Sequence, residues 1–332
     1  MNRYAIEQKL KSFSAFLIIL ILLPYIVSVF VNGVDPAGKE SGDPFYVRVK
    51  VPEEEEADGI REVEWTEYLA GILAREIPPD YELEAMKAQA VLVRTQIYRS
   101  AAESGDSVLT EDYLSQSELQ EQWNSDRFKE NYEKYIRAVE QTDDTVLMYQ
   151  DSYAWTPFHQ SSCGMTRSAA EVMGTEEYPY IAVRECPLDK EAENEIQVFE
   201  FTCKEIQKLC RDFLVAEDSG EEAQQGYTPD DFEIVSCDSA GYVSELKIGN
   251  TTCTGDQFRD ALSLPSSAFS VSAAAEDTGT VTVTTTGNGH GLGMSLWTAE
   301  KMAEEGSAFE EILAFFFEGT EMRTDIQETG LF

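Results

Sequence analysis

Two adjacent prolines, Pro78 and Pro79, divide what would otherwise be one long helix. Proline lacks an amide proton and pushes the residue before it out of helical geometry. The spacing therefore predicts two helices, over about 65–76 and 81–103, joined by a sharp turn. On the first, Tyr68, Leu69, Ile72 and Leu73 form an apolar stripe, and Glu76 falls three and four positions after the last pair, on the same face. A carboxylate among apolar side chains, at the negative end of a helix dipole, is expected to hold its proton above the usual pH range. Such a group suits general acid catalysis near neutrality. The pattern equally allows a terminal glutamate turned to water, or paired with Lys87 or Arg94.

The second helix is apolar nearly all round, with Leu83, Met86, Ala90, Val93 and Ile97 in one stripe and Ala85, Ala88 and Val91 on other faces. A helix of that kind is buried. Lys87, Gln89 and Arg94 on it need partners, so they either brace neighbouring backbone or line a site. Near the other end, "TVTVTTTGNGHGLGMS" alternates like a strand and carries the alternation into its turn. Gly287, Gly289, Gly291 and Gly293 succeed one another on one face, with Asn288, His290, Leu292 and Met294 between them. A face stripped of side chains admits either another stretch of backbone or a flat ligand. The Lys-Ser/Thr that completes a phosphate loop is absent.

His159 and His290 are the only histidines. His159, Cys163 and Cys186 lack an evident fourth ligand and match no standard zinc spacing, so no metal is expected. The other cysteines, at 203, 210, 237 and 253, complete an even set that permits disulfides in an oxidising compartment. Cys203 and Cys210, seven apart on a helical run, should stand about 10 Å apart, too far to bridge.

Residues 13–31, "FSAFLIILILLPYIVSVFV", carry no charge and are long enough to span a bilayer, which takes roughly 20 residues. Arg3, Lys9 and Lys11 precede the run and acidic residues follow it, which places residues 1–12 in the cytoplasm. The run exceeds the roughly 7–15 apolar residues of a cleaved signal, so a retained anchor is expected. Residues 32–44 read as a linker and the remainder as an extracytoplasmic domain in the cell membrane's outer compartment. The net charge of −37 argues against nucleic acid as a partner.

Beyond the linker, "FYVRVKV" alternates like a strand, residues 104–126 look irregular, and "KENYEKYIRAVEQT" reads as a helix. Hairpins are expected for "TVLMYQ" with "YAWTPF", His159 ending the second strand, and within "FEIVSCDSAGYVSELKIG", turning at Ala240-Gly241. After the strand at 280–286 come helices near 295–305 and 308–317. Strands and helices mix without a βαβ rhythm, which predicts an α+β fold.

These segments together resemble the stage II sporulation protein D (SpoIID/LytB) family. The resemblance is carried by "EYLAGILAREIPPDYELEAMKAQAVLVRTQIY", "FHQSSCGMT" with "YPYIAV", "FRDALSLPSSAFSV", and "GHGLGMS" followed by "FFEGTEM", in the family's order. It covers about residues 45–325 and implies one SpoIID-like domain there. The resemblance implies a membrane-anchored lytic transglycosylase of forespore engulfment. Its substrate would be peptidoglycan glycan strands already stripped of stem peptides by a partner amidase, within a membrane scaffold of the engulfment machinery. No cofactor is implied.

By resemblance the catalytic glutamate is Glu76, and Gln89, Arg94, His159, Ser161, Gly289, His290, Gly291, Gly293, Met294 and Ser295 shape the substrate site. Leu296-Trp297-Thr298 stands where the family usually shows Gln-Tyr-Gly. Some clostridial members carry zinc-binding residues after the second helix, whereas residues 104–126 here contain no Cys or His. A single acid suffices for a transglycosylase, because the muramic 6-hydroxyl is the nucleophile; a hydrolytic glycosidase ordinarily needs two carboxylates. The alternative reading is a non-catalytic peptidoglycan-binding module that recruits or activates an amidase.

Overall fold

The computed structural model describes residues 45–52, 59–123, 125–193, 195–214, 227–274 and 279–324. The expected anchor at 13–31 lies outside them. Among the described residues no helix is long and apolar enough to cross a membrane.

The chain enters through β1 (Tyr46–Lys50) and β2 (Ile60–Glu64), paired antiparallel, and passes directly into α1 (Trp65–Glu76). Glu64 caps that helix by accepting from the Glu67 amide. The stripe Tyr68, Leu69, Ile72 and Leu73 is fully buried, and Ile77 ends the helix in extended geometry ahead of Pro78. The buried helix α2 (Leu83–Ser104) follows. Its first turn is secured from afar: Glu300 accepts from the Glu82 amide at 2.6 Å, and Glu84 accepts from the Phe309 amide at 2.9 Å.

Residues 104–126, expected to be irregular, contain two elements. The short β3 (Val108–Leu109) adds to β1 in parallel, and α3 (Gln116–Gln122) opens on a capping box between Ser115 and Glu118. Only Leu119 of α3 is buried, so the helix has no apolar stripe to announce it. α4 (Ser125–Glu140) then packs on α1 and α2.

The first expected hairpin is shorter than its sequence suggests. β4 (Val146–Tyr149) pairs with β5 (Ser152–Tyr153) for two positions, and its other edge takes β14 (Glu321–Arg323). Beyond Tyr153 the chain leaves the hairpin, the Trp155 amide donating to the Tyr180 hydroxyl at 2.8 Å. β6 (Phe158–His159) instead pairs in parallel with β13 (Met294–Ser295), which moves His159 out of the hairpin and against the glycine turn.

The short α5 (Ala169–Met173) precedes β7 (Ile196–Thr202) and α6 (Cys203–Leu209). The hairpin of β8 (Phe232–Cys237) and β9 (Val243–Ile248) extends to β10 (Thr251–Cys253), with Gly241 at positive φ in its turn. After α7 (Gly255–Leu262), β11 (Phe269–Ala273) and β12 (Thr280–Thr286) complete a sheet ordered β11-β12-β7. Phe258, Val243, Leu246, Val281 and Val283 fill one core with Cys203, Cys210 and Cys253. All six cysteines are free thiols. The chain closes through β13, α8 (Leu296–Glu304) and α9 (Phe309–Phe316), both packed on α2. The architecture is a mixed helix-and-sheet fold of small, mostly antiparallel sheets.

Candidate active site

Glu76, on the last turn of α1, is partly buried, and removal from water pushes its acid up to about 7. The Gln89 amide group, buried nearly two turns into α2, donates to Glu76 Oε2 at 2.8 Å. That bond favours ionisation, yet burial outweighs it.

The turn that carries Glu76 is held by its carbonyls. Gln160 donates to the Glu76 carbonyl at 2.9 Å, the Tyr135 hydroxyl to that of Ile77 at 2.7 Å, and the Lys134 ammonium to those of Pro79 and Tyr81. Two donors come from α4 and one from the segment after β6. The position of the acid is therefore fixed by long-range bonds rather than by its own helix end.

Beside this turn lies a cleft of about 380 Å³. Pro78, Asp80 and Tyr81 form one wall, Gln160, Ser161 and Asn288 another, and Trp297, Ala192 and Glu193 close it. Trp297 is held by two bonds, its indole donating to the Leu188 carbonyl and its amide to that of Gln160. The Lys301 ammonium stands 4.8 Å from its ring centre. An indole fixed at a cleft wall is a platform for the flat face of a ligand.

The candidate residues fall into three groups. Glu76, Gln89 and Ser161 gather at or beside the cleft. His159 is buried behind it: its Nδ1–H donates to the Leu292 carbonyl at 3.1 Å, and Nε2 has no partner among the described residues. His290 accepts from the Leu292 amide through Nδ1 at 3.0 Å, and the two rings lie 5.8 Å apart. Burial pushes both imidazoles down to about 4, so both are neutral at pH 7.

The remaining candidates serve the scaffold. Arg94 is buried and donates to the Val139 and Thr145 carbonyls and the Thr142 hydroxyl, bracing the end of α4 instead of reaching the cleft. The bare glycine face is occupied by the protein itself. A Cβ on Gly291 would stand 2.6 Å from the Tyr242 ring, one on Gly289 would strike His159, and one on Gly293 would strike the Pro157 carbonyl. The missing side chains of these three therefore make room for protein, the first of the two occupants the alternation allows. Met294 is buried in the β6–β13 pair, and Ser295 caps α8 while donating to Asp189 at 2.8 Å.

Sequence reasoning missed Gln160, Tyr81, Asn288 and Trp297, although two adjoin flagged residues. It also missed two buried acids. Asp189 accepts from the Ser162 amide and the Ser295 and Thr298 hydroxyls, and Glu195 accepts from the Ser161 hydroxyl. No signal in their acidic surroundings distinguishes them. Among the described residues, no three His, Cys, Asp or Glu side chains gather closely enough to hold a metal ion.

Comparison with known proteins points to one family. A family model described as stage II sporulation protein matches residues 53–149. The stage II sporulation protein D of Bacillus amyloliquefaciens is 29% identical over 313 residues, covering 91% of this chain and 83% of that protein. The protein of the same name from Bacillus subtilis (strain 168) is 30% identical over 272 residues, covering 77% and 73%. An amidase enhancer of Bacillus subtilis is 32% identical over 117 residues, 35% of this chain and 15% of that one.

Proposed function

The chain belongs to the stage II sporulation protein D family, and on that premise we propose that it is a sporulation-related cell-wall enzyme, a peptidoglycan lytic transglycosylase with Glu76 as its acid and base. One arrangement carries the reading: a desolvated carboxyl with an acid value of about 7, held rigidly beside an aromatic-walled cleft. Gln89 occupies Oε2, which leaves Oε1 to carry the mobile proton.

Protonated Glu76 gives its proton to the oxygen linking C1 of N-acetylmuramic acid to N-acetylglucosamine, and the C1–O bond breaks. The muramic 6-hydroxyl bonds to C1 through its oxygen and returns its proton to Glu76. The products are a 1,6-anhydro end and a free 4-hydroxyl, with no water consumed. An intramolecular nucleophile of this kind gains from effective molarity. Neutral His159 and His290 hold the turn behind the cleft and carry no proton in this scheme.

Incubating the full-length protein with peptide-stripped glycan strands in oxygen-18 water tests the reaction. The expected products are 1,6-anhydro-muramic ends free of label. Labelled reducing ends would make the enzyme a hydrolase with a second carboxylate. Intact strands, together with faster release of stem peptides by an added amidase, would favour the binding-module reading, to which the match with an amidase enhancer lends support.

The charge asymmetry about residues 13–31 supports a single-pass anchor with residues 45–325 outside the membrane and any amidase partner there too. Protease added to wall-stripped cells should digest the chain beyond residue 45. Full protection of that region would reject the topology.

A further inference from the structure

Ser161 stands on the cleft wall beside Asn288, each amide donating to the other's carbonyl at 3.1 and 2.9 Å. Its hydroxyl donates to Glu195 Oε2 at 3.2 Å. A hydroxyl has one proton and two lone pairs. While Glu195 is ionised that proton is committed behind the wall, and Ser161 has only lone pairs left to offer the cleft.

Glu195 is an expensive choice for a strut. It is 7% exposed, and its Oε1 is buried without a hydrogen-bond partner among the described residues. An unsatisfied buried carboxylate oxygen destabilises a fold, and an apolar side chain of similar size would avoid that cost. The bond that ties this stretch to the glycine turn is made by its main chain, the Gly287 amide donating to the Glu195 carbonyl at 2.9 Å. The side chain is thus dispensable for that tie. Burial pushes the Glu195 acid up to about 7 and Asp189 adds to the rise, against the Ser161 hydroxyl, the Gly287 amide and Lys190, so the carboxylate that holds Ser161 is the form present above about pH 7. What remains for the carboxylate to do is to orient Ser161.

We propose that Glu195 is a positioning residue of the cleft, fixing the Ser161 hydroxyl so that it accepts a hydrogen bond from a donor on the glycan. The inference rests on the glycan-cleaving reading above. The donors an N-acetylated sugar offers such an acceptor are its hydroxyls and its acetamido N–H. Glu195 touches no reacting atom, and its effect passes through Ser161.

The test is a double-mutant cycle on the full chain with peptide-stripped strands. Ser161→Ala and Glu195→Gln should each raise KM about tenfold, the worth of one ordinary hydrogen bond, with kcat within about threefold of wild type. The double variant should lose no more than either single one, because both remove the same interaction. Losses that multiply, a fall in kcat at constant KM, or an unchanged Glu195→Gln would overturn the proposal. Glu195→Asp, which keeps the charge but withdraws it, substitutes if Glu195→Gln does not fold, and should show the same rise in KM. Co-sedimentation with the strands repeats the cycle as binding alone. A wild type that binds but does not cleave would sink the transglycosylase and leave the Ser161–Glu195 coupling to be read from binding. Variants that bind as tightly as wild type would sink the coupling itself.

Discussion

Glu76→Gln is expected to slow strand cleavage by about 10²- to 10⁴-fold, the usual worth of general acid–base help. Glutamine keeps the size of the side chain, and its amide can still bond a sugar oxygen, so strand binding should survive. Stability offers an independent check. The folded acid value of Glu76, about 7, lies above its value in the unfolded chain, near 4.5. Its contribution is therefore complete below the unfolded value and is lost as pH rises through about 7. At pH 8 the wild type carries an ionised, partly buried carboxylate, and glutamine does not. Glu76→Gln should accordingly melt higher than wild type at pH 8 and at the same temperature at pH 4. A variant that cleaves at the wild-type rate would remove Glu76 from the chemistry, and one without the pH-dependent gain would remove the desolvation on which its role rests.

Gly293→Ala should destabilise the fold by about 2 to 6 kcal/mol, the sum of left-handed backbone strain and overpacking. Gly293 has a φ of +71°, and its missing side chain is the space taken by the Pro157 carbonyl. That same carbonyl accepts from the Met294 amide at 3.1 Å at the edge of the β6–β13 pair. A methyl group there would separate the two strands that carry His159 and Ser295. Gly174→Ala is the control, since Gly174 has a φ of +67° but open space around it, and should show the strain alone. Urea midpoints of the two variants would separate the terms. If Gly293→Ala costs no more than Gly174→Ala, the close approach is not what the glycine is for.

Local rules made part of this site legible. A proline pair and an apolar stripe located Glu76 because both are features of consecutive residues. Gln89 and Arg94 stood out as polar groups on a buried helix, but only the folded chain assigns Gln89 to Glu76 and Arg94 to the end of α4. The alternation of glycines was readable, whereas its occupants, Pro157, His159 and Tyr242, come from segments distant in sequence. For the same reason Glu195 and Trp297 gave no warning: one lay in an acidic stretch and the other looked like a departure from a motif. α3 was hidden differently, by having a single buried side chain.

The bonds that Glu300 and Glu84 make at the start of α2 bear on how the cleft can move. Helix ends ordinarily fray, opening at little cost on their own. Here the first turn of α2 cannot loosen unless α8 and α9 come away with it, and those helices belong to the same packed unit. Opening at this end therefore breaks contacts between three helices and not those of one helix end alone. On the proposed reading, a strand entering the cleft meets a wall pinned to α8 and α9, so adaptation falls to the substrate's own torsions.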